Sequence, residues 1–132
     1  IKLYLLDVGI LSAILYKYQI KALLSDEPQL NLGNVYETAA ADLLQSNGYE
    51  LFYTDQKKMG ELDFLIDDYD ELKVIAMEIK SGKDYTRHPA LDNHLKSNED
   101  ISEGWVFSNS REIITDGKIT YYPIYLINFI KK

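Results

Sequence analysis

Between Gly60 and Gly82 two apolar runs are joined by a short acidic turn, and three charges are set into them. The first run covers residues 61–66 and the second residues 73–80, with the turn at 67–71. So short a connection leaves no room for a crossover, so the two strands must pair antiparallel. The embedded charges are Asp63, Glu78 and Lys80. A charge in a buried strand is costly unless it is paired or binds a metal. This hairpin therefore constrains both the fold and the chemistry of the chain.

Side chains alternate along a strand. Val74, Ala76, Glu78 and Lys80 are expected on one face, and Ile75, Met77 and Ile79 on the other. In the preceding strand Glu61, Asp63 and Leu65 share a face. A register that sets Asp63 opposite Glu78 lets the two carboxylates converge on one cation. Carboxylate oxygens and waters are the ligands that Mg²⁺ or Mn²⁺ prefers. Lys80 would then stand about 7 Å along the strand from Glu78, positioned to stabilise developing charge or to assist an attacking water.

The rest of the chain supplies the frame. Its 132 residues are enough for one domain with a real core, and we expect a single domain over residues 1–132. Cysteine is absent, which excludes disulfides, thiolate metal sites and thiol nucleophiles. The apolar runs are too short to span a bilayer, and no signal peptide opens the chain, so a cytoplasmic protein without a membrane partner is expected. The chain begins at Ile1 in a strand-like run, as a fragment of a longer protein would. The net charge of −7 argues against a strong autonomous grip on nucleic acid. It is uneven, however. Residues 50–78 hold nine acids against three lysines, whereas residues 79–98 hold four bases against two acids.

In chain order, a strand is expected at residues 2–6, then a helix capped by Asp7 over 8–18 and a loop over 21–29. A second helix is expected over 35–47, stopped by Gly48. A strand at 49–53 and a polar loop at 55–60 lead into the hairpin. Pro89 opens a helix to about residue 96. Strands follow at 105–107, 113–114 and 119–122, the last two joined by an Asp116-Gly117 turn, and Pro123 opens a C-terminal helix over 124–130. The strand-helix-strand portion from residue 73 to 107 suggests one parallel crossover added to the hairpin. The expected class is α/β, a mixed central sheet with helices on both faces.

Asp63, then Glu78-Ile79-Lys80, resembles the D…(D/E)xK signature of the PD-(D/E)XK, or restriction-endonuclease-like, nuclease superfamily. Glu37 matches the acidic helix position that precedes the strands in that superfamily. More narrowly, the ordered set Lys2-Leu3-Tyr4, Asp7-Val8-Gly9, Gly33, Glu37, Gly60 to Phe64, Glu78 to Gly82 and Tyr122 to Tyr125 is similar to an uncharacterised domain found C-terminal to prokaryotic AAA-type ATPases. The resemblance implies a restriction-endonuclease-like three-layer fold and an N-terminal ATPase domain in the same chain. It further implies a nuclease-like activity on DNA with Mg²⁺ or Mn²⁺, in which Asp63 and Glu78 are metal ligands, Lys80 is catalytic and Glu37 is an accessory acid. A catalytically inactive binding or regulatory module of the same ATPase is the alternative. Leu62 stands where the superfamily name has proline, and no phosphate-binding G-x-x-x-x-G-K-[S/T] loop occurs in these residues.

Other readings of these residues remain open. Asp63 and Glu78 could be partners of Lys80 or Lys57 in an ion-pair network. Glu61 is a possible accessory ligand or a solvated rim residue. Glu37 is a site acid or, with Asn34, a capping box. Lys83, Tyr85 and Arg87 follow the acid-lysine strand directly and suit phosphate and base contacts, or form a solvated loop. His88 borders this basic patch, where a phosphate contact is open to it. His94 is expected on the solvent face of its helix.

Overall fold

A computed structural model describes residues 7–15, 25, 32–56 and 58–131. The strand expected at 2–6, residues 16–18 of the first helix and all of the 21–29 loop except Ser25 lie outside the described residues. Helix α1 is Val8–Leu15. Asp7 starts it as expected, its Oδ1 accepting the amides of Gly9 and Ile10 at 2.7 and 3.0 Å.

Helix α2 is Gly33–Ser46, with Leu32 at its N-cap, and so begins two residues before the expected start. No side chain caps it. Asn34 is therefore inside the first turn and the Asn34–Glu37 capping box does not form. Instead Thr38 Oγ1 donates to the Asn34 carbonyl at 2.7 Å. The far end closes at Gly48, which has φ of 93°. Its amide bonds the Gln45 carbonyl and the Tyr49 amide bonds that of Leu44, the pattern of a glycine-terminated helix.

Among the described residues the main sheet has six strands: β1 (Leu51–Phe52), β4 (Phe64–Asp68), β5 (Lys73–Ile79), β6 (Ile101–Ser108), β7 (Ile114–Asp116) and β8 (Ile119–Pro123). They run in the order β1-β4-β5-β6-β8-β7. Pairs β1/β4, β4/β5 and β7/β8 are antiparallel, whereas β5/β6 and β6/β8 are parallel. Helix α3 (Pro89–Ser97) makes the crossover from β5 to β6. Residues expected to form one loop at 55–60 instead contribute a small separate hairpin, β2 (Asp55–Gln56) with β3 (Gly60–Glu61). The C-terminal segment Ile124–Phe129 is a 3₁₀ rather than an α-helix, and Asn47 Nδ2 ties it to α2 by donating to the Ile130 carbonyl at 3.0 Å.

Each face of the sheet has its own core. Ile75, Met77 and Ile79 pack with Phe64, Ile66 and Phe107 beneath α2 and the 3₁₀ helix, through Ala40, Ala41, Leu44 and Ile127. On the opposite face Ala76, Val106 and Tyr121 pack with Leu62 and Leu91 of α3. Fully burying one such large apolar side chain contributes about 1.5–3 kcal/mol. Two positions fix how closely α3 and its neighbours approach. A Cβ on Gly104 would stand 2.9 Å from Leu91 Cδ1, and one on Gly60 would stand 2.9 Å from Ala90 Cβ. Gly60 also has φ of 93°.

Gly60→Ala is expected to lower the unfolding free energy by about 1–3 kcal/mol, because it adds both backbone strain and a collision. Gly82→Ala, where an added Cβ meets nothing within 4 Å, should stay within about 0.5 kcal/mol of the parent. Urea denaturation of the two variants checks the pair.

Candidate functional site

The β4/β5 ladder pairs Phe64 with Met77 and Leu65 with Ala76. One step further this register sets Asp63 opposite Glu78. Asp63 itself bends out of the strand, and its Oδ2 accepts the Ile79 amide at 2.7 Å. By the same register that amide would otherwise meet the Leu62 carbonyl, so the carboxylate completes the ladder where the backbone turns away. Glu78 is only 5 % exposed. Its Oε2 is 2.7 Å from Lys80 Nζ. The expected alternation holds: Glu78 and Lys80 share the α3 face with Val74 and Ala76, against Ile75, Met77 and Ile79 beneath α2.

Asp63, Glu78 and Lys80 are thus gathered at the C-terminal end of β5, between a buried acid and a lysine that reaches outward. The Lys80 side chain is 30 % exposed. Its amide continues the parallel ladder by donating to the Phe107 carbonyl at 2.8 Å. The cluster sits where the sheet changes from antiparallel to parallel pairing, with the β5-to-α3 connection leaving from it.

The other sequence-derived candidates separate. Glu61 belongs to β3, paired opposite Asp55 and exposed, rather than to the strand that carries Asp63. The shared strand expected for Glu61 and Asp63 fails because the chain bends between them and gives Glu61 to the small hairpin. Glu37 is half-buried on α2, the layer that covers the face opposite Glu78 and Lys80. Among the described residues no three acids or histidines are grouped as a metal cage would need. Lys83 and Arg87 are exposed on the connection after β5. Tyr85 is half-buried, its ring edge-on to Tyr121 with centroids 5.8 Å apart, so its ring packs on the protein's own core.

Both histidines depart from expectation. His94 is 1 % exposed rather than on a solvent face. Its Nε2 donates to the Gly60 carbonyl at 3.1 Å, so α3 holds the turn that leads into Asp63. Asn93 Nδ2 adds a bond to the Met59 carbonyl. His88 is buried as well, with Nδ1 3.1 Å from Asp92 Oδ1 and Nε2 2.7 Å from the Tyr121 hydroxyl. An open phosphate contact is thereby excluded in this arrangement. An ionised carboxylate only accepts, so in the neutral ring Nδ1 carries the hydrogen and Nε2 accepts the phenol O–H. Burial, followed by Asp116 and Asp92, pushes the Tyr121 phenol up from its ordinary value and keeps it a donor. A signal for these contacts stood in the sequence. His88 and Asp92 are i, i+4 neighbours, and His94 lies with Leu91 and Leu95 on the apolar stripe of α3.

The fold and cluster define a mixed α/β domain with an acid-acid-lysine group at the end of its central strand. The chain belongs to the DUF4143 family, a domain of unknown function, whose profile matches residues 32–127. No curated protein and no solved structure shows a significant match to the chain. No helix among the described residues is long and apolar enough to cross a membrane.

Lys80→Ala leaves Glu78 buried without its amine and should lower the unfolding free energy by about 1–3 kcal/mol at neutral pH. Adding Glu78→Gln should recover part of that loss. Asp63→Ala should cost about 1–2 kcal/mol, but Asp63→Asn less than about 1, since the amide oxygen still accepts from Ile79. Urea denaturation of the four variants reads these differences.

Proposed function

We propose that this domain is a restriction-endonuclease-like module that hydrolyses phosphodiesters of DNA with Mg²⁺ or Mn²⁺, working beside an ATPase domain in a cytoplasmic protein. The observation that carries the reading is the end of the β4/β5 ladder, where Asp63, one step beyond the Phe64–Met77 pair, accepts the Ile79 amide beside Glu78 and its partner Lys80. The residues fit a divalent cation of this kind. Mg²⁺ is commonly held by one or two carboxylates, with waters and substrate oxygens completing the shell. Asp63 and Glu78 are two such carboxylates, and a third protein ligand is not required. The cation would supply positive charge to the phosphate and lower the pKa of a bound water.

The chain's own residues would do the rest. Asp63, braced by the Ile79 amide, and Glu78, set in the apolar sheet, would hold the cation in a fixed place. Lys80 now rests on Glu78. Released from Glu78, the Lys80 ammonium would be free to reach the phosphate and stabilise the charge gained by its non-bridging oxygens. A bond from water oxygen to phosphorus forms as the bond from phosphorus to the departing sugar oxygen breaks.

A second reading has its own support. Glu78 is already matched by Lys80, Asp63 by a backbone amide, and the chain carries a net charge of −7. A non-catalytic interaction module built on the same fold would need no more than this.

Incubation with linear, branched and single-stranded DNA in Mg²⁺ or Mn²⁺ separates the two. The hydrolytic reading predicts cleavage that falls at least about 100-fold in Asp63→Asn and in Lys80→Ala. Cleavage equal in all three proteins would come from a contaminant and would count against it. No cleavage of any substrate, with the ATPase domain also supplied, would leave the interaction module as the better account.

A further inference from the structure

Asp92, His88 and Tyr121 form a hydrogen-bonded chain that the reading above does not use. It begins on the first turn of α3, passes through the residue that starts that helix, and ends on β8. All of it lies close to the acid-lysine cluster. Glu78 pairs with Val106 on β6, and Val106 pairs with Tyr121 on β8. Glu78, Val106 and Tyr121 therefore make one row across the sheet, with Asp63 bending away beside its Glu78 end and with Glu78 and Tyr121 about 10 Å apart at the Cα level.

Residues 81–87 join the two ends of this row, running from Lys80 to His88. Lys83 and Arg87 are exposed on this connection. Three tethers hold it to the sheet. Asn109 Nδ2 donates to the Ser81 carbonyl at 3.0 Å near the start. The Tyr85 ring rests edge-on against Tyr121 in the middle. At the end His88 Nε2 accepts the Tyr121 hydroxyl at 2.7 Å, and Asp92 fixes the ring that does so. Two of the three tethers end on Tyr121. The His88 side chain does not cap its own helix. Both of its nitrogens are committed to orienting the ring between α3 and β8.

We infer that Asp92, His88 and Tyr121 are positioning residues, a latch that holds the 81–87 connection against the sheet and so presents Lys83 and Arg87 to a phosphate-bearing ligand at the Asp63–Glu78–Lys80 cluster. The identity of that ligand rests on the phosphodiester reading; the latch itself rests on the three hydrogen-bonded groups. Asp92 sets the tautomer of His88, His88 receives the phenol, and the phenol carries the ring against which Tyr85 packs. Loss of the hydroxyl alone should free the connection without emptying the core beneath it.

Tyr121→Phe tests this cleanly, because the ring that Tyr85 touches is kept. Trypsin cleavage after Lys83 and Arg87 under native conditions should quicken about three- to tenfold, the effect of losing one buried hydrogen bond on a local opening. The urea midpoint measured alongside should fall by no more than that one bond accounts for, since global unfolding breaks it too, while cleavage in both proteins should run far faster than global unfolding allows. His88→Ala should quicken cleavage similarly, whereas His88→Gln, whose amide oxygen can receive the phenol, should stay near the parent. Affinity for a short DNA duplex, read by fluorescence anisotropy with Ca²⁺ in place of Mg²⁺, should weaken several-fold in Tyr121→Phe. Unchanged cleavage after Lys83 and Arg87, or cleavage that in both proteins runs only at the rate global unfolding allows, would overturn the latch. A parent and a Tyr121→Phe variant that bind duplex equally well would overturn its positioning role. A parent that binds no duplex, with a connection that loosens as predicted, would uphold the latch and defeat the phosphodiester reading alone.

Discussion

Glu78 is a carboxylate set into a strand whose neighbours on both sides are paired and whose two faces are covered, and Lys80 is what makes that tolerable. An acid in such a place has lost most of its water, and an unpaired charge there would cost several kcal/mol. The ammonium 2.7 Å away returns part of that cost. Geometry makes the pairing possible. Side chains two apart on a strand share a face, and Lys80 stands just past the last residue of β5, where its stem can turn back while its head stays partly wet. The neighbouring acid is treated differently. Asp63 gives one oxygen to the Ile79 amide and thereby finishes the β4/β5 ladder. The same two carboxylates that would hold a cation are thus also structural, and Asp63→Asn is the more informative variant because it removes charge while keeping that bond.

Much of this was legible in the sequence because it depends on short-range rules. The antiparallel hairpin follows from the brevity of the 67–71 turn, and the shared face of Glu78 and Lys80 from strand alternation. Asp7 and Gly48 end their helices as side-chain capping and left-handed glycine geometry require. The parallel crossover through α3 follows from a strand-helix-strand order. What could not be read depends on where the chain bends. Residues 61–63 look like the start of the first hairpin strand, yet Glu61 goes with Gly60 into the small hairpin and residues 62–63 bend between the two sheets. Glu61 consequently leaves the face that alternation assigns to it. β6 runs four residues further back than its apolar core suggests, because Ile101 to Gly104 owe their extended form to pairing with β5 and not to composition.

The histidines show the limit of treating polarity as exposure. His94 reads as a polar residue on a short helix, but it shares a stripe with Leu91 and Leu95 and finds its acceptor in the Gly60 carbonyl, 34 residues earlier. His88 reads as part of a basic patch, but Asp92 one turn ahead and Tyr121 on β8 satisfy both ring nitrogens. In each case the partner is distant in sequence or needs the helix to be drawn first. These contacts also brace the candidate cluster. α3 holds the entry to Asp63 through His94 and the exit from Lys80 through His88, so one helix braces both sides of the cluster.

The central proposal is that Asp63 and Glu78 would together hold a divalent cation. It is tested most directly by soaking crystals of the domain in millimolar Mn²⁺ and measuring anomalous diffraction above the manganese edge. The account predicts an anomalous peak about 2.2 Å from an oxygen of each of Asp63 and Glu78, with Lys80 Nζ withdrawn from Glu78. An empty map, with Lys80 still resting on Glu78, would contradict it.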